Sequence, residues 1–267
     1  MAQALITLLT DFGTADYFVG AMKGVILSTC SSARIIDITH EVPAQDIQSA
    51  AFTLLASYES FPVGTIHVAV VDPGVGSARR GIIGKCAEQI FVGPDNGIFN
   101  YVFQREAPAR VFNIQNEEFF RRPVSATFHG RDIFAPVAAA LANGVEATQL
   151  GSEISDWVRL EPLAPVRRGK GTIEGRVLHI DRFGNCITNF TDEDVTEENK
   201  SNGALLINGR RISSFRRFFA EKETTGDGGL FAITGSAGFL EIAARNLSAA
   251  QILNAKVGQT VLFSEKD

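Results

Sequence analysis

Acidic residues and a histidine stand where apolar runs of the sequence give way to loops. Asp11 lies in LLTDFG, Asp72 in VVDPGVG and Asp95 in VGPDNG, and His129 lies in TFHGRDIF, just before a helix-like segment. A carboxylate, a histidine and an arginine on adjacent loops can position a water molecule and take its proton. The glycines of these loops let the backbone approach a ligand closely. These residue types therefore favour activation of water beside a bound small molecule.

The same residues also support plainer interpretations. An aspartate after a strand is often only a turn or capping residue, and the histidines His40, His67 and His179 lie in or at the ends of apolar runs, which indicates structural hydrogen bonding. The three aspartates and His129 could hold a divalent ion. However, the sequence has no H-x-H, H-x-x-E-H or H-E-x-x-H spacing that would support the prediction of a metal site. The glycine loops match neither the P-loop nor the dinucleotide-binding pattern.

The elements that must position these loops alternate through the first half of the chain. The sequence predicts strands over 5–10, 35–39, 66–71 and 90–92, and helices over 17–29, 47–58 and 133–143, with Asp46 as a helix N-cap. Such alternation is typical of an α/β domain with a largely parallel central sheet. In these sheets ligands bind at the carboxyl ends of the strands, where the three aspartates fall.

A proline- and glycine-containing linker near residues 151–170 ends this pattern. Short strands and turns follow, including the hairpin signal Asn208-Gly209. We predict a small, mainly antiparallel β-barrel domain over residues 171–267, after an α/β domain over residues 1–160. The segment DRFGN at residues 181–185 fits two interpretations equally well, a plain β-turn or a ligand-binding edge with a ring to stack and an amide to pair.

Composition limits the functional class. The formal net charge of −5 argues against broad nucleic-acid binding, which needs a basic surface. Three cysteines, Cys30, Cys86 and Cys186, are far apart and suggest neither a disulfide framework nor a thiolate metal site. The N-terminal residues lack the features of a secretory signal, and no apolar run approaches the ~20 residues that cross a bilayer. We therefore expect a cytoplasmic protein without membrane or nucleic-acid partners.

Taken together, many segments resemble the S-adenosylmethionine (SAM) hydroxide adenosyltransferases, the non-halogenating relatives of the SAM-dependent fluorinases and chlorinases. The similar segments run in order through most of the chain: LLTDFGTADYFVGAMKG, IIDITHEVPAQDI, GTIHVAVVDPGVGSARR, FVGPDNG, TFHGRDIFAPVAA, IDRFGNCITN and GSAGFLEIA. The resemblance implies an α/β domain followed by a β-barrel domain. It also implies a homotrimer with active sites at subunit interfaces.

The resemblance implies roles for individual residues. Asp72, Arg79 and His129 resemble the family's water-activating triad, and the halogenating relatives have tyrosine in place of this aspartate. The residues similar to the family's substrate contacts are Asp11 for the ribose hydroxyls, Asp16 for the methionine amine, Asp181, Phe183 and Asn185 at the adenine edge, Phe219 for ring stacking and Ser236 for the methionine carboxylate. No metal and no cofactor is implied, because SAM is the substrate.

The implied reaction is attack of water or hydroxide on the ribose C5′ of SAM, which gives adenosine and L-methionine. His129 or Asp72 would accept the proton, and Arg79 would hold the water. Three rival functions stay open at this point: a metal-dependent hydrolase that uses the same carboxylates, a non-catalytic sensor of adenosine or SAM, and a halogenase.

Overall fold

The computed structural model describes residues 3–106, 108–169, 171–221 and 229–265. The chain divides into two compact units, residues 1–161 and 162–267, and each is described by itself. The domain limits expected from the sequence, 160 and 171, stay predictions. Within the described ranges, no helix has the length and apolar character needed to cross a membrane.

The first unit holds a seven-stranded sheet in the order β2-β1-β3-β5-β4-β6-β7. Its strands are β1 (Leu5–Thr10), β2 (Arg34–Thr39), β3 (Ile66–Val70), β4 (Gly81–Cys86), β5 (Gln89–Pro94), β6 (Arg110–Asn113) and β7 (Glu153–Ile154). Its helices are α1 (Phe18–Thr29), α2 (Ile47–Ser57), α3 (Asn100–Arg105), α4 (Ala135–Ala142) and α5 (Ala147–Leu150), with 3-10 turns at Tyr58–Ser60 and Glu117–Phe119. Alternating strands and helices confirm the predicted α/β character.

The sheet is only partly parallel, so the expectation of a largely parallel sheet holds for one half. Strands β2, β1, β3 and β5 pair in parallel, whereas β4, β6 and β7 pair antiparallel. The direction reverses at a two-residue hairpin between β4 and β5, where Ala87 and Glu88 both have positive φ, 50° and 57°. Such turns usually contain asparagine or glycine, so the sequence carried no signal for this hairpin.

One apolar core joins the parallel half of this sheet to α1 and α4. The side chains of Ile6, Leu8 and Val68 from the sheet are fully or almost fully buried against Met22 of α1 and Val137 of α4. Asp46 caps α2 as predicted, because its side chain accepts a hydrogen bond from the backbone N–H of Ser49 at 2.9 Å. The core holds the carboxyl ends of β1 and β3 rigidly at one edge of the sheet.

The second unit is mainly antiparallel. Its strands are β8 (Val166–Gly169), β9 (Thr172–Ile180), β10 (Cys186–Thr191), β11 (Gly203–Ile207), β12 (Arg210–Ile212), β13 (Phe215–Arg216), β14 (Leu230–Thr234), β15 (Phe239–Ala244) and β16 (Thr260–Glu265), with helices α6 (Glu197–Asn202) and α7 (Ala249–Leu253). Their order is β12-β11-β16-β9-β10-β15-β14-β13, with β8 on β9. All of these neighbours are antiparallel except β13 and β14. Within the described residues the path has two ends, so closure into a barrel stays a prediction.

Candidate active site

The carboxylate of Asp72 and the guanidinium of Arg79 form a largely buried ion pair at the end of β3. Arg79 Nε donates to the two carboxylate oxygens of Asp72 at 2.9 and 3.0 Å, and Nη2 forms a further short contact with Oδ2. The guanidinium also lies 5.2 Å from the ring centroid of Phe134. A fork of donors on one carboxylate fixes both groups in orientation. The arginine is therefore a rigid support for whatever else it contacts.

The loop that carries this pair depends on Gly76. Its φ is +78°, and a Cβ atom at this position would overlap the carbonyl oxygen of Ala126. The loop is closed further by Ser77, whose hydroxyl donates to the Gly74 carbonyl at 2.7 Å and accepts from the Arg79 N–H at 3.2 Å. The spacing of seven residues between Asp72 and Arg79 is thus the length of one tight glycine loop.

His129 completes the group. Arg79 Nη2 donates to His129 Nδ1 at 2.8 Å, although the two residues are 50 positions apart. A guanidinium has only donors, so Nδ1 must be an unprotonated acceptor and the imidazole proton must be on Nε2. Burial, and then the positive charge of Arg79, hold the pKa of His129 below its ordinary value of 6.5, while the charges of Asp72 and Asp132 oppose this. His129 is therefore neutral near pH 7.

The backbone that follows His129 is shaped by Asp132. Residues Gly130–Phe134 form a π-helical turn that leads into α4. The buried carboxylate of Asp132 receives hydrogen bonds from Ser125 N at 2.9 Å, from Arg121 at 3.2 Å and from Arg131 at 2.7 and 2.9 Å. Burial alone would raise the pKa of Asp132, but these donors lower it overall. The aspartate of TFHGRD is thus a structural residue that fixes the loop carrying His129.

A cavity of about 410 Å³ adjoins the triad. Its lining residues are Asp11, Phe12, Phe18, Ala44, Gln45, Val70, Asp72, Pro73, Val75, Thr127, Phe128, His129 and Gly130. The cavity therefore has polar groups from the strand ends on one side and three packed phenyl rings on another. The rings were not predicted as part of the site, because apolar residues next to a strand end look like ordinary core.

Asp11 is fixed from two directions. Its carboxylate accepts a hydrogen bond from Gln45 N at 2.8 Å, and the preceding Thr10 hydroxyl accepts one from Phe12 N at 3.2 Å. The same hydroxyl lies 2.8 Å from Nδ1 of buried His40, within hydrogen-bond distance, and His40 Nε2 lies 3.1 Å from Asp37 Oδ1. His40 therefore supports the Asp11 loop, consistent with the structural role expected of it.

His67 has the structural role that its place in an apolar run indicated. Its Nδ1 is 2.7 Å from the Thr7 hydroxyl and its Nε2 is 2.6 Å from Gln89 Oε1. Burial lowers the pKa of this imidazole to about 4, although the bond to Gln89 works in the opposite direction. Thr7 lies three residues before Thr10 on β1, and the hydrogen bonds of His67 do not include Thr10 or Asp11.

Asp95, the third strand-end aspartate, forms an ion pair with Arg80 and does not line the cavity. Its carboxylate accepts from Arg80 Nε at 2.9 Å and from Val158 N at 2.8 Å, and Arg80 also donates to Asp156 at 2.8 Å. Arg79 and Arg80 are adjacent in sequence but serve different carboxylates, and only Arg79 reaches His129. Among the described residues, no group of three or more histidine, cysteine or acidic side chains is arranged to hold a metal ion.

The second unit presents a separate cavity of about 570 Å³. It is lined by Phe183, Asn185, Phe219, Ala244, Asn246, Leu247 and Ser248. The ring of Phe183 is 77% exposed, so most of its surface is open to a ligand. Asn246, Leu247 and Ser248 were missed, because RNLS in the sequence indicates only a turn and a helix cap.

The DRFGN segment forms a turn, and two of its side chains line this cavity; whether they bind a ligand stays a prediction. Asp181 Oδ1 accepts from the N–H groups of Phe183 and Asn185 at 2.9 and 2.8 Å, and Oδ2 accepts from the Asn185 amide at 2.9 Å. Asp181 therefore makes the turn, and the turn presents Phe183 and Asn185 to the cavity. Gly184, at φ +83°, lies so close to Ser248 that a Cβ would overlap its hydroxyl.

Three predicted substrate residues do not line these cavities: Asp181, which makes the turn that carries Phe183 and Asn185, and Asp16 and Ser236. Asp16 is exposed on the segment before α1, and Ser236 is exposed in the turn between β14 and β15; neither belongs to the lining of either cavity. Their predicted contacts with methionine stay predictions. The structure brings together Asp11, Asp72 and His129 in the first cavity, with Arg79 behind them, and Phe183, Asn185 and Phe219 in the second.

The first unit thus defines an α/β protein whose small-molecule cavity lies at strand ends, with a buried acid–arginine–histidine group in its wall. Family models match both halves of the chain: the SAM hydroxide adenosyltransferase N-terminal domain over residues 6–151 and the corresponding C-terminal domain over residues 175–262. The chain belongs to the SAM hydroxide adenosyltransferase family, which confirms the resemblance seen in the sequence.

Individual relatives agree with this assignment. The chain is 37% identical to the (R)-S-adenosyl-L-methionine hydrolase of Thermus thermophilus, with 95% of this chain and 96% of that protein covered. It is 36% identical to the (R)-S-adenosyl-L-methionine hydrolase of Methanocaldococcus jannaschii, with 94% and 92% covered. A fluorinase of an Actinoplanes species is 25% identical, with 98% and 97% covered. A crystal structure of an uncharacterized conserved protein from Thermotoga maritima has a TM-score of 0.88 at 34% identity, covering 97% of this chain and all of the other.

Proposed function

We propose that this protein hydrolyses S-adenosyl-L-methionine to adenosine and L-methionine through attack of water or hydroxide on the ribose C5′. The observation that carries this proposal is the single guanidinium of Arg79, which contacts both the carboxylate of Asp72 and the imidazole of His129 beside a cavity. The relatives that cover nearly the whole chain are named as hydrolases of the (R) form, so we extend that preference to this protein.

The reaction is a substitution in which the water oxygen forms a bond to C5′ and the bond from C5′ to the sulfonium sulfur breaks. The electron pair of the broken bond stays on sulfur, so methionine leaves as a neutral thioether and needs no general acid. One proton of the water must be removed. Generating and aiming a hydroxide-like oxygen is therefore the main task of the protein.

The hydrogen-bond directions at Arg79 divide this task between Asp72 and His129. His129 cannot take a proton at Nδ1, because that atom accepts from Arg79, and its Nε2 already carries a proton. His129 therefore donates from Nε2 to the nucleophilic oxygen and stabilises its developing charge. Asp72 lines the same cavity and supplies the acceptor for the proton. Of the two acceptors that the sequence left open, we propose Asp72.

The second cavity has the chemistry to hold a purine. The exposed ring of Phe183 offers a stacking surface, and Asn185 uses its amide N–H on Asp181, which leaves its carbonyl oxygen to accept from an exocyclic amine. Asp11 offers a carboxylate for the ribose hydroxyls. The proposed contacts of Asp16 with the methionine amine and of Ser236 with its carboxylate rest on the family resemblance alone.

The resemblance also supports the rest of the proposal. We propose a cytoplasmic homotrimer with active sites at subunit interfaces, a C-terminal unit that closes as a β-barrel, and a reaction that uses neither a metal nor a cofactor. Mixing His129→Ala chains with Asn185→Ala chains tests the shared site, since mixed trimers would regain activity only if one site draws on two subunits. Mixed trimers as inactive as either parent would refute it.

The reaction is tested by incubating the protein with SAM in water enriched in ¹⁸O and identifying the products. The proposal expects adenosine labelled at the 5′-hydroxyl, unlabelled L-methionine, and faster turnover of the (R) than the (S) sulfonium epimer. Adenosine without label would exclude attack of water at C5′. Tight adenosine binding with no methionine released would instead identify a sensor.

Two further arms of this experiment test for a metal requirement and for halogenation. Loss of activity after chelation, restored by a divalent ion, would identify a metal-dependent hydrolase; the structure favours the metal-free route because Asp95 is committed to Arg80. Formation of 5′-chloroadenosine with added chloride would identify a halogenase. The presence of Asp72 in the site wall favours water over halide.

A further inference from the structure

One cationic side chain of the second unit, that of Arg216, is buried with no counter-ion among the residues that the structure describes. Arg216 lies on β13, is 8% exposed, and places its guanidinium 4.1 Å from the ring centroid of Phe231 on β14. Within residues 162–169, 171–221 and 229–265, no carboxylate forms an ion pair with it, and its Nε is buried without a hydrogen-bond acceptor. This residue belongs to neither of the cavities assigned to SAM.

A buried guanidinium without a paired carboxylate is unusual. Arginine is almost never this buried unless it is paired, because removing the charge from water is costly. The face of Phe231 compensates part of this cost through the cation–π contact. It does not satisfy the Nε–H donor, which lies in the plane of the guanidinium and is buried without an acceptor. The geometry therefore calls for an acceptor that the described residues do not provide.

Arg216 lines a polar cavity of about 540 Å³. The other lining residues include the hydroxyl-bearing Ser213, Ser214 and Thr234, the cations Lys200 and Arg217, and the acids Glu197 and Glu221. Lysine and arginine are donors of the kind that bind oxyanions, and a guanidinium presents two parallel N–H groups to such a ligand. The cavity is large enough for a phosphate or sulfate together with several water molecules.

The acidic groups at this cavity already have partners. Lys200 Nζ is 2.7 Å from Asp192 and 2.7 Å from Glu197, and Asp192 also accepts from the Thr234 hydroxyl at 2.8 Å. The Glu221 carboxylate accepts from Arg217 N at 2.7 Å. The charge of Lys200 is therefore matched locally, whereas no carboxylate among the described residues pairs with Arg216.

We propose that this cavity is a binding site for a small oxyanion of the phosphate or sulfate class, with Arg216 as its anchor. The anion accepts hydrogen bonds from the guanidinium of Arg216, for which the described residues provide no carboxylate. The site is distinct from the proposed SAM contacts, since neither the triad nor the Phe183–Asn185 edge lines it.

The test is thermal unfolding of the full chain in inorganic phosphate or sulfate, with chloride at equal ionic strength as the reference. A ligand that binds only the folded state raises Tm in a saturable way. We expect this rise for the wild type and for Arg210→Met, which removes an exposed arginine of β12, and no rise for Arg216→Met. In chloride alone, Arg216→Met should be at least as stable as the wild type, because it removes an unpaired buried charge.

Two results would overturn the proposal. Equal anion-dependent shifts in the wild type and in Arg216→Met would show a general salt effect. A destabilised Arg216→Met in chloride, with no anion effect in the wild type, would show that a protein group is the counter-ion. If Arg216→Met does not fold, calorimetric titration of phosphate into the wild type and Arg216→Lys decides: the proposal requires saturable binding that the lysine weakens at least severalfold, and no binding refutes it.

Discussion

The role of His129 can be separated from that of a general base by exchanging it for glutamine. In the structure Arg79 donates to His129 Nδ1, so the neutral imidazole carries its N–H on Nε2 and has no free lone pair. A glutamine amide keeps both functions, since its oxygen can accept from Arg79 and its NH₂ group can donate to the water. It cannot take up a proton near pH 7. Alanine removes both functions.

The expected magnitudes follow from this assignment. A hydrogen bond to a charged group contributes about 1.5–3 kcal/mol, so His129→Ala should lower kcat roughly 10–150-fold. His129→Gln should recover most of that loss. Asp72→Asn removes the proton acceptor and should cost ~10²–10⁴-fold. In all three variants the affinity for adenosine should change little, because the second cavity is untouched.

The assay is single-turnover release of methionine from SAM, with adenosine affinity measured by calorimetry as the control for folding. A glutamine variant as slow as the alanine variant, combined with an Asp72→Asn variant that stays active, would refute the assignment. That pattern would make His129 the base and would require Arg79 to leave Nδ1 during the reaction.

Three further outcomes are expected. The pKa of His129 lies below 6.5 in the folded protein, so activity should hold at pH 7 and fall with the uptake of one proton as the pH drops through that pKa. The free energy of unfolding should also fall there, because the unfolded chain binds the proton more readily. A pH–activity profile whose acid limb is centred above 6.5 would contradict this. His40→Ala should raise KM for SAM and lower Tm, whereas His67→Ala should lower Tm alone; equal KM values in steady-state kinetics would refute the support given to Asp11. Gly76→Ala combines a positive φ with overlap of the new Cβ and the backbone, so denaturant unfolding should show a free energy of unfolding lower by at least about 1–3 kcal/mol. The loss should exceed that of Gly209→Ala, where φ is positive but the space around the Cβ is open. Equal losses in the two variants would contradict the overlap.

Local signals in the sequence were sufficient for most of the elements that carry the site. The apolar run before Asp11 formed β1, and the aspartate before residue 47 capped α2 as expected. The hairpin at Ala87 and Glu88 could not be predicted in this way, because neither residue is typical of a left-handed turn. That hairpin is what makes the sheet only partly parallel.

The residues of the site show the same difference between what local sequence signals predict and what only the folded structure shows. Motifs indicated Asp72, Arg79 and His129 through family resemblance, but the hydrogen bond between Arg79 and His129 joins loops 50 residues apart, and no local pattern encodes its direction. Asp95 had the same sequence context as Asp11 and Asp72, yet Arg80 binds it in a structural pair. Strand-end position therefore indicates where polar side chains gather, whereas only packing decides which of them face the cavity.

The central position of Arg79 has a consequence for how the chemistry can differ between relatives. One guanidinium holds the carboxylate of Asp72 and fixes the tautomer of His129, so the two cavity-facing groups are not independent. Replacing Asp72 with a neutral side chain would leave Arg79 with a buried charge and would also disturb the donor presented by His129. A change at this position thus alters the whole wall of the cavity. Effects of Asp72→Asn and His129→Gln should accordingly be non-additive, and a double variant that loses the full product of the single losses would show that Arg79 does not couple them.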